Sequence, residues 1–422
     1  MILLRRSRGP AETQTGALPR SGENRRHSRL PSMTSLGAVT TNTLPSAPPR
    51  PPEPRPAPPV RAQSGASSGL FGPSEAKSQL DGLAPVPHQE LDERWYQWIA
   101  DNRLRDCSPE SMLETMSAAG LNREEARSAI ALMDRSPGIV AARKFQQIQR
   151  KLESMMSNQQ KLRELSVQYQ TVEKRSGVSR DEFIERYAIG SRPVVLTDLA
   201  RDWPAMQRWS PQYLRERFGH LEVQVQAERN KDPKFEQNKV KHRRTVRLGE
   251  FVDQVMTGGA TNDYYLTANN EVLRRPEFAP LVADIGSLPS FCRSGDLARS
   301  INFWFGPAGT NTPLHHDTLM LLHTQVVGRK RWRFISPLDT PRVYNHLSVY
   351  SPIDLDQPDY ARYPLFRGVK VLDVIVEPGE TMFLPLAWWH QVAGLDVSLS
   401  ISYTNIDLPN EYEFYEPQIE DW

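Results

Sequence analysis

Residues 312–317 read Thr312-Pro313-Leu314-His315-His316-Asp317. On a β-strand, residues two apart share a face, so His315 and Asp317 can reach one metal ion while His316 points away. A lone His-x-Asp carries little weight. The segment downstream adds to it: Glu377-Pro378-Gly379-Glu380 forms a turn, Thr381–Pro385 a strand, and Trp388-Trp389-His390 a second imidazole. Two imidazoles and one carboxylate on a rigid β-scaffold make a facial triad suited to Fe(II), with positions left open. The chain holds only two cysteines, Cys107 and Cys292, far apart in sequence. That excludes a cysteine-based zinc site and a disulfide framework.

Between the two halves of the triad, Gly328-Arg329-Lys330-Arg331-Trp332-Arg333-Phe334 alternates strictly. Period two puts Lys330, Trp332 and Phe334 on one face and the three arginines on the other, which is expected to face solvent. A lysine between two large aromatics on an inner face is costly unless an anion pairs with it. A dicarboxylate cosubstrate is such an anion; a lysine snorkelling at a barrel rim is the plain alternative. Further out, short β-rich runs recur at 194–196, 223–225, 264–266, 301–305, 324–327, 332–335, 371–376, 382–384 and 397–403, most of them separated by glycine or proline turns. Many short strands with little helix between them predict an antiparallel barrel or sandwich. The basic run 239–244 has few interleaved aromatics and is expected to be a solvated strand or loop, not a nucleic-acid contact.

Upstream the texture is helical. Trp95, Trp98 and Ile99 share a helical face; Ser108-Pro109 opens a second helix that Gly120 ends; Asn122 with Glu125 opens a third. This helical module (89–136) resembles ubiquitin-associated-type three-helix domains. From Pro137 a long helix is expected to 175, with Phe145, Ile148, Leu152, Met155, Leu162 and Tyr169 at 3–4 spacing and Gln159 and Ser166 interrupting the seam. It reads equally as a coiled-coil arm joining a homodimer or as an amphipathic helix lying on the next domain. Residues 1–88 hold 15 of the 35 prolines and a single aromatic, Phe71, which predicts a disordered tail. No run of 18 apolar residues exists, so no transmembrane helix is expected. With 52 Lys+Arg against 50 Asp+Glu, net charge selects no partner. A cytoplasmic protein is expected.

The stretch from about Tyr187 to Ile406 resembles the JmjC/cupin-like Fe(II)- and 2-oxoglutarate-dependent dioxygenases, and among them the asparaginyl-hydroxylase-like (factor-inhibiting-HIF-type) branch. The resemblance rests on Thr312–Asp317, Gly-x-Lys-Arg at 328–331, "DLDQPDYARYP" at 354–364 and "EPGETMFLPLAWWH" at 377–390, in that order. It implies a mainly β double-stranded β-helix (jelly-roll or cupin) barrel over 176–422, preceded by the α-helical region. It implies that His315, Asp317 and His390 bind Fe(II) and act as the catalytic centre, with 2-oxoglutarate and O2 as cosubstrates. Lys330 is implied to pair with the distal carboxylate of 2-oxoglutarate, Thr312 and Tyr265 to hydrogen-bond it, and Asn405 to lie near the metal-side carboxylate. That branch has an asparagine four residues after its aspartate; here Leu321 stands there. The implied activity is hydroxylation of a protein or peptide side chain, with succinate and CO2 released. Two other classes compete: a metal-binding cupin without oxygenase activity, and a helical adaptor with an inactive barrel. The intact spacing of His315, Asp317, Lys330 and His390 weighs against the adaptor.

Overall fold

The computed structural model describes residues 90–410 apart from 269, 294, 296 and 346–348. The expected tail (1–88) lies outside the described residues. The chain divides into two units at Arg150/Lys151, inside a helix and not at the expected boundaries of 136 and 175.

In the first unit the caps fall where the side chains dictate. Asp92 accepts from the Trp95 amide ahead of α1 (Glu93–Leu104), and Ser108 from the Ser111 amide ahead of α2 (Pro109–Ala118). Asn122 accepts from the Glu124 and Glu125 amides ahead of α3 (Arg123–Arg135). Gly120, at φ +88°, turns the chain between α2 and α3. The three apolar stripes meet in one small core around Trp95, Ile99, Met112, Met116 and Ile130. The next helix, α4, spans Pro137–Glu164. It stops short of the expected 175: Tyr169 lies in a 3-10 turn, its hydroxyl donating to the Gly190 carbonyl, and 173–175 is strand.

Among the described residues twelve strands follow: β1 (Glu173–Arg175), β2 (Val194–Leu196), β3 (Glu222–Gln226), β4 (Arg243–Arg247), β5 (Ile301–Gly306), β6 (Asn311–His316), β7 (Leu321–Val327), β8 (Lys330–Ile335), β9 (Leu372–Val376), β10 (Thr381–Leu384), β11 (Trp389–Gly394) and β12 (Ser398–Tyr403). They form a six-stranded sheet in the order β1-β2-β10-β7-β12-β5, a four-stranded sheet β6-β11-β8-β9 and a β3–β4 hairpin. Apart from the parallel β1–β2 pair, all pairings are antiparallel. Two predicted elements come out differently. Residues 264–266 contribute only isolated bridges, Gln226 to Tyr265 and Leu266 to Phe305. The basic run begins as a helical turn, Lys239–His242, before entering β4.

The larger sheet is covered on both sides. Leu322, Phe383, Ile401 and Tyr403 join the main core with Phe183, Phe251 and Phe291 from the flanking segments. On the other face Val195, Met382 and Leu384 meet Trp332, Phe334 and Val376 of the smaller sheet. This is the expected barrel of two apposed sheets. Gly328, at φ +69°, makes the β7–β8 turn; a Cβ there would lie 2.2 Å from the Val397 carbonyl oxygen, so both conformation and space demand glycine.

Candidate metal centre and cosubstrate cradle

The smaller sheet positions the site by register. His390 on β11 lies directly opposite His315 on edge strand β6, and Val392 lies opposite Thr312. Two steps on β11 thus match three on β6, a bulge at Pro313-Leu314 that returns Thr312 to the His315 face. Proline suits this place, since an edge strand at a bulge has an amide to spare. Across β11, Gly394 faces Lys330, Val392 faces Trp332 and His390 faces Phe334. One face of the sheet therefore carries His315, His390, Thr312, Lys330, Trp332 and Phe334.

The ligand atoms of His315, Asp317 and His390 all lie within 4.8 Å of one another, and His390 Nε2 is 3.8 Å from an Asp317 oxygen. Each imidazole donates from Nδ1 to a carbonyl two residues before it. His315 uses Pro313 O (2.8 Å) and His390 uses Trp388 O (3.0 Å). Both rings are thereby oriented with Nε2 left for a metal, the usual device for fixing a ligand tautomer. Burial, reinforced by His315, holds the His390 pKa well below the ordinary range, so the ring is neutral. Crowding pushes the Asp317 carboxyl up against the opposing pull of His315. Two imidazoles and a carboxylate, with no thiolate, fit a divalent iron. His316 points to the opposite face, as expected, and packs edge-on against Trp389 with ring centroids 4.6 Å apart.

The exposed edge of β6 is fully engaged. The His316 amide donates to Val349, Leu314 O accepts from the Ser351 amide, and the Asn311 amide donates to the Asn262 side chain. Asn311 O accepts from Arg229 Nη2 at 2.8 Å. Arg229 is buried and ion-paired with buried Glu236 at 3.0 Å, its guanidinium over the Phe235 ring. Removing one partner of a buried pair leaves the other charge without compensation. Arg229→Met is therefore expected to destabilise the protein by roughly 3–5 kcal/mol, and adding Glu236→Gln to recover part of it. Urea midpoints of the two variants check this; a single-variant loss below about 1 kcal/mol would refute the account.

Lys330 is 1 % exposed. Its ammonium donates to Ser400 Oγ (2.7 Å) and Tyr265 Oη (3.1 Å) and lies 3.4 Å from His323 Nε2, with the Trp304 ring beside it. Burial pulls its pKa down to about 7 and raises that of the Tyr265 phenol. Burial, then the neighbouring Lys330, pushes His323 well below its usual value. The partners of this cation are thus all neutral. Trp332 links the two clusters, its ring 5.0 Å from that of His323 and 5.6 Å from that of His390.

The structure therefore brings together His315, Asp317 and His390, joins Lys330 with Tyr265, and sets Thr312 on the same sheet face. Asn405 bonds to the 291–293 loop: its side-chain amide donates to the Arg293 carbonyl (3.0 Å) and its main-chain carbonyl accepts from the Arg293 amide. The arginine face departs from expectation. Arg333 is covered, paired at 2.8 Å with Asp356 of the 354–364 segment, because that segment lies over the outer side of the sheet. Of the tryptophans, Trp389 is outer core with its indole N–H on Thr340, whereas Trp304 lines the interior. Sequence reading missed His323, Ser400 and Arg229. The first two had a signal: Ser398-Leu399-Ser400-Ile401-Ser402-Tyr403 alternates small polar with large apolar, and Ser402 pairs with His323.

Among the described residues no helix is long and apolar enough to cross a membrane. Comparison with known families matches residues 179–404 to the cupin-like domain. Similar curated proteins include lysine-specific demethylase 8 of Xenopus tropicalis, 31 % identical over 53 % of this chain and 50 % of that protein. Lysine-specific demethylase JMJ30 of Arabidopsis thaliana is 33 % identical over 55 % and 54 %, and tRNA wybutosine-synthesizing protein 5 of Gallus gallus 27 % over 56 % and 77 %. The chain thus spans about half the length of the two demethylases it matches. With the domain match covering more than half of the chain, over a barrel that carries the histidine–aspartate–histidine cluster, the chain belongs to the cupin-like, JmjC-type family.

Proposed function

We propose that the chain is an Fe(II)- and 2-oxoglutarate-dependent oxygenase that hydroxylates a side chain of a protein or peptide, with succinate and CO2 as coproducts. The observation that carries this reading is Lys330, a buried ammonium with neutral partners on the sheet face that bears the metal cluster. A buried cation without a counter-charge is costly, and an anionic ligand turns that cost into charge-assisted hydrogen bonds. 2-Oxoglutarate would offer one carboxylate to the lysine and its keto-acid end to the centre that His315, Asp317 and His390 would form.

His315, Asp317 and His390 would hold the iron, which when bound supplies O2 activation and oxidation of a substrate C–H coupled to decarboxylation of the cosubstrate. The chain's own residues bind and orient. Lys330, with the hydroxyls of Tyr265 and Ser400, fixes the far carboxylate. His323 accepts from the ammonium at Nε2 and so helps to hold it in place. Thr312 adds a hydroxyl from the bulge, and Trp304, Trp332 and Phe334 keep water out of the cradle.

The relatives' names speak of lysine demethylation and of tRNA wybutosine synthesis. Stable hydroxylation of a peptide is distinguished from demethylation by product: gain of one oxygen without release of formaldehyde. The primary test is succinate formation by the purified full chain given Fe(II), 2-oxoglutarate and air, with His315→Ala as control. Metal-dependent succinate lost in the variant supports the proposal. Absence of both succinate and calorimetric 2-oxoglutarate binding overturns it in favour of a metal-binding cupin without oxygenase activity.

A further inference from the structure

The apolar seam of α4 offers its large side chains to solvent. Phe145, Ile148, Leu152, Met155 and Leu162 are each between 53 % and 73 % exposed. The residues the helix buries or engages are others: Ile139 and Gln160 are buried, and Arg143 pairs with Asp134 at 2.6 Å.

We propose that this seam is a parallel two-stranded coiled coil with a second copy of the chain. Three observations select that occupant. The spacing Phe145, Ile148, Leu152, Met155, Gln159, Leu162 keeps strict heptad a and d positions, which form a narrow stripe suited to a partner helix. Gln159 is exposed in the middle of that stripe. In a parallel in-register pair it faces its own copy, amide to amide, as single polar a-position residues do when they fix register. In the antiparallel pairing that sets Phe145 against Leu162 and Leu152 against Met155, Gln159 faces Ile148 and its amide is left unbonded. The same polar residue opposes insertion of the stripe into lipid. Last, five half-exposed large side chains with their neighbours bury on the order of 600 Å² per copy, which reaches the lower end of the roughly 1,200–2,000 Å² total of stable interfaces.

Sedimentation velocity of the full chain at micromolar concentration is expected to give twice the chain mass of 48.1 kDa. Leu152→Glu with Met155→Glu is expected to give the single mass with unchanged helicity and melting, since both positions are exposed. Gln159→Cys in a Cys292→Ser background is expected to form a disulfide-linked dimer under mild oxidation. In a mixture of Phe145→Cys chains and Leu162→Cys chains, disulfides that join unlike chains in preference to like ones would overturn the parallel register. A monomeric wild type, or a dimer that survives the glutamate pair, overturns the seam. A monomer that co-sediments with anionic vesicles assigns the stripe to a lipid surface instead.

Discussion

Exchanging Asp317 for asparagine is expected to remove Fe(II) retention and turnover together while leaving the fold in place. Asp317 is the one formal negative charge among the three ligands, and asparagine keeps its shape while discarding that charge. Loss of a partner behind a metal ligand already costs roughly 10–100-fold in affinity or activity, and loss of the ligand itself is expected to cost more. The side chain sits just past the end of β6 and is 37 % exposed, so no core contact is lost. Iron content after dialysis reads the first effect and succinate formation the second. A third reading is independent of turnover. A divalent ion that binds only the folded state raises the melting temperature of the wild type with its concentration, and should leave the variant unmoved. Retained iron with full turnover would sink the assignment of the triad.

Lys330→Met should lose the cosubstrate and gain stability. Two charge-assisted hydrogen bonds to a carboxylate are each worth about 1.5–3 kcal/mol, so the 2-oxoglutarate requirement is expected to rise by roughly 10²-fold or more with iron binding retained. The stability change has a definite sign. The unfolded lysine binds its proton up to the ordinary value of 10.5, whereas the folded one lets go near 7. Between those values the unfolded state holds more protons, so wild-type stability rises with pH across this window and is lowest at and below pH 7. Methionine, of similar length and apolar, removes that penalty, on the order of several kcal/mol at neutral pH. The gain should be full below pH 7 and shrink toward zero by about pH 10.5. Melting curves of the two proteins over that range decide it, and a variant less stable than wild type at pH 7 refutes the uncompensated cation. In the wild type, 2-oxoglutarate should bind with proton uptake above pH 7 and weaken as pH rises, because its anion holds the lysine charged.

The link between these two expectations is the barrel interior, which is polar where a protein core is ordinarily apolar. Ser400, His323, Tyr265 and Lys330 satisfy one another there, and the large apolar residues of β12 point outward into the main core. Local consistency of pattern and structure breaks at this one face, as expected where a fold accepts a cost for a site.

Sequence alone determined whatever depends on local period and local chemistry. Strict alternation over 328–334 set Lys330 apart from its arginines, the spacing of His315 and Asp317 set them on one side, and caps at Asp92, Ser108 and Asn122 opened helices where they stood. The heptad in α4 was equally legible. Tertiary structure decided the bulge that turns Thr312 to the metal face, the loop that covers Arg333, the bonding of Asn405 to Arg293, and the arrival of Arg229 and His323 from distant segments. The physical reason is that period fixes which residues share a face, whereas what each face meets depends on contacts between segments tens of residues apart, which no local pattern encodes.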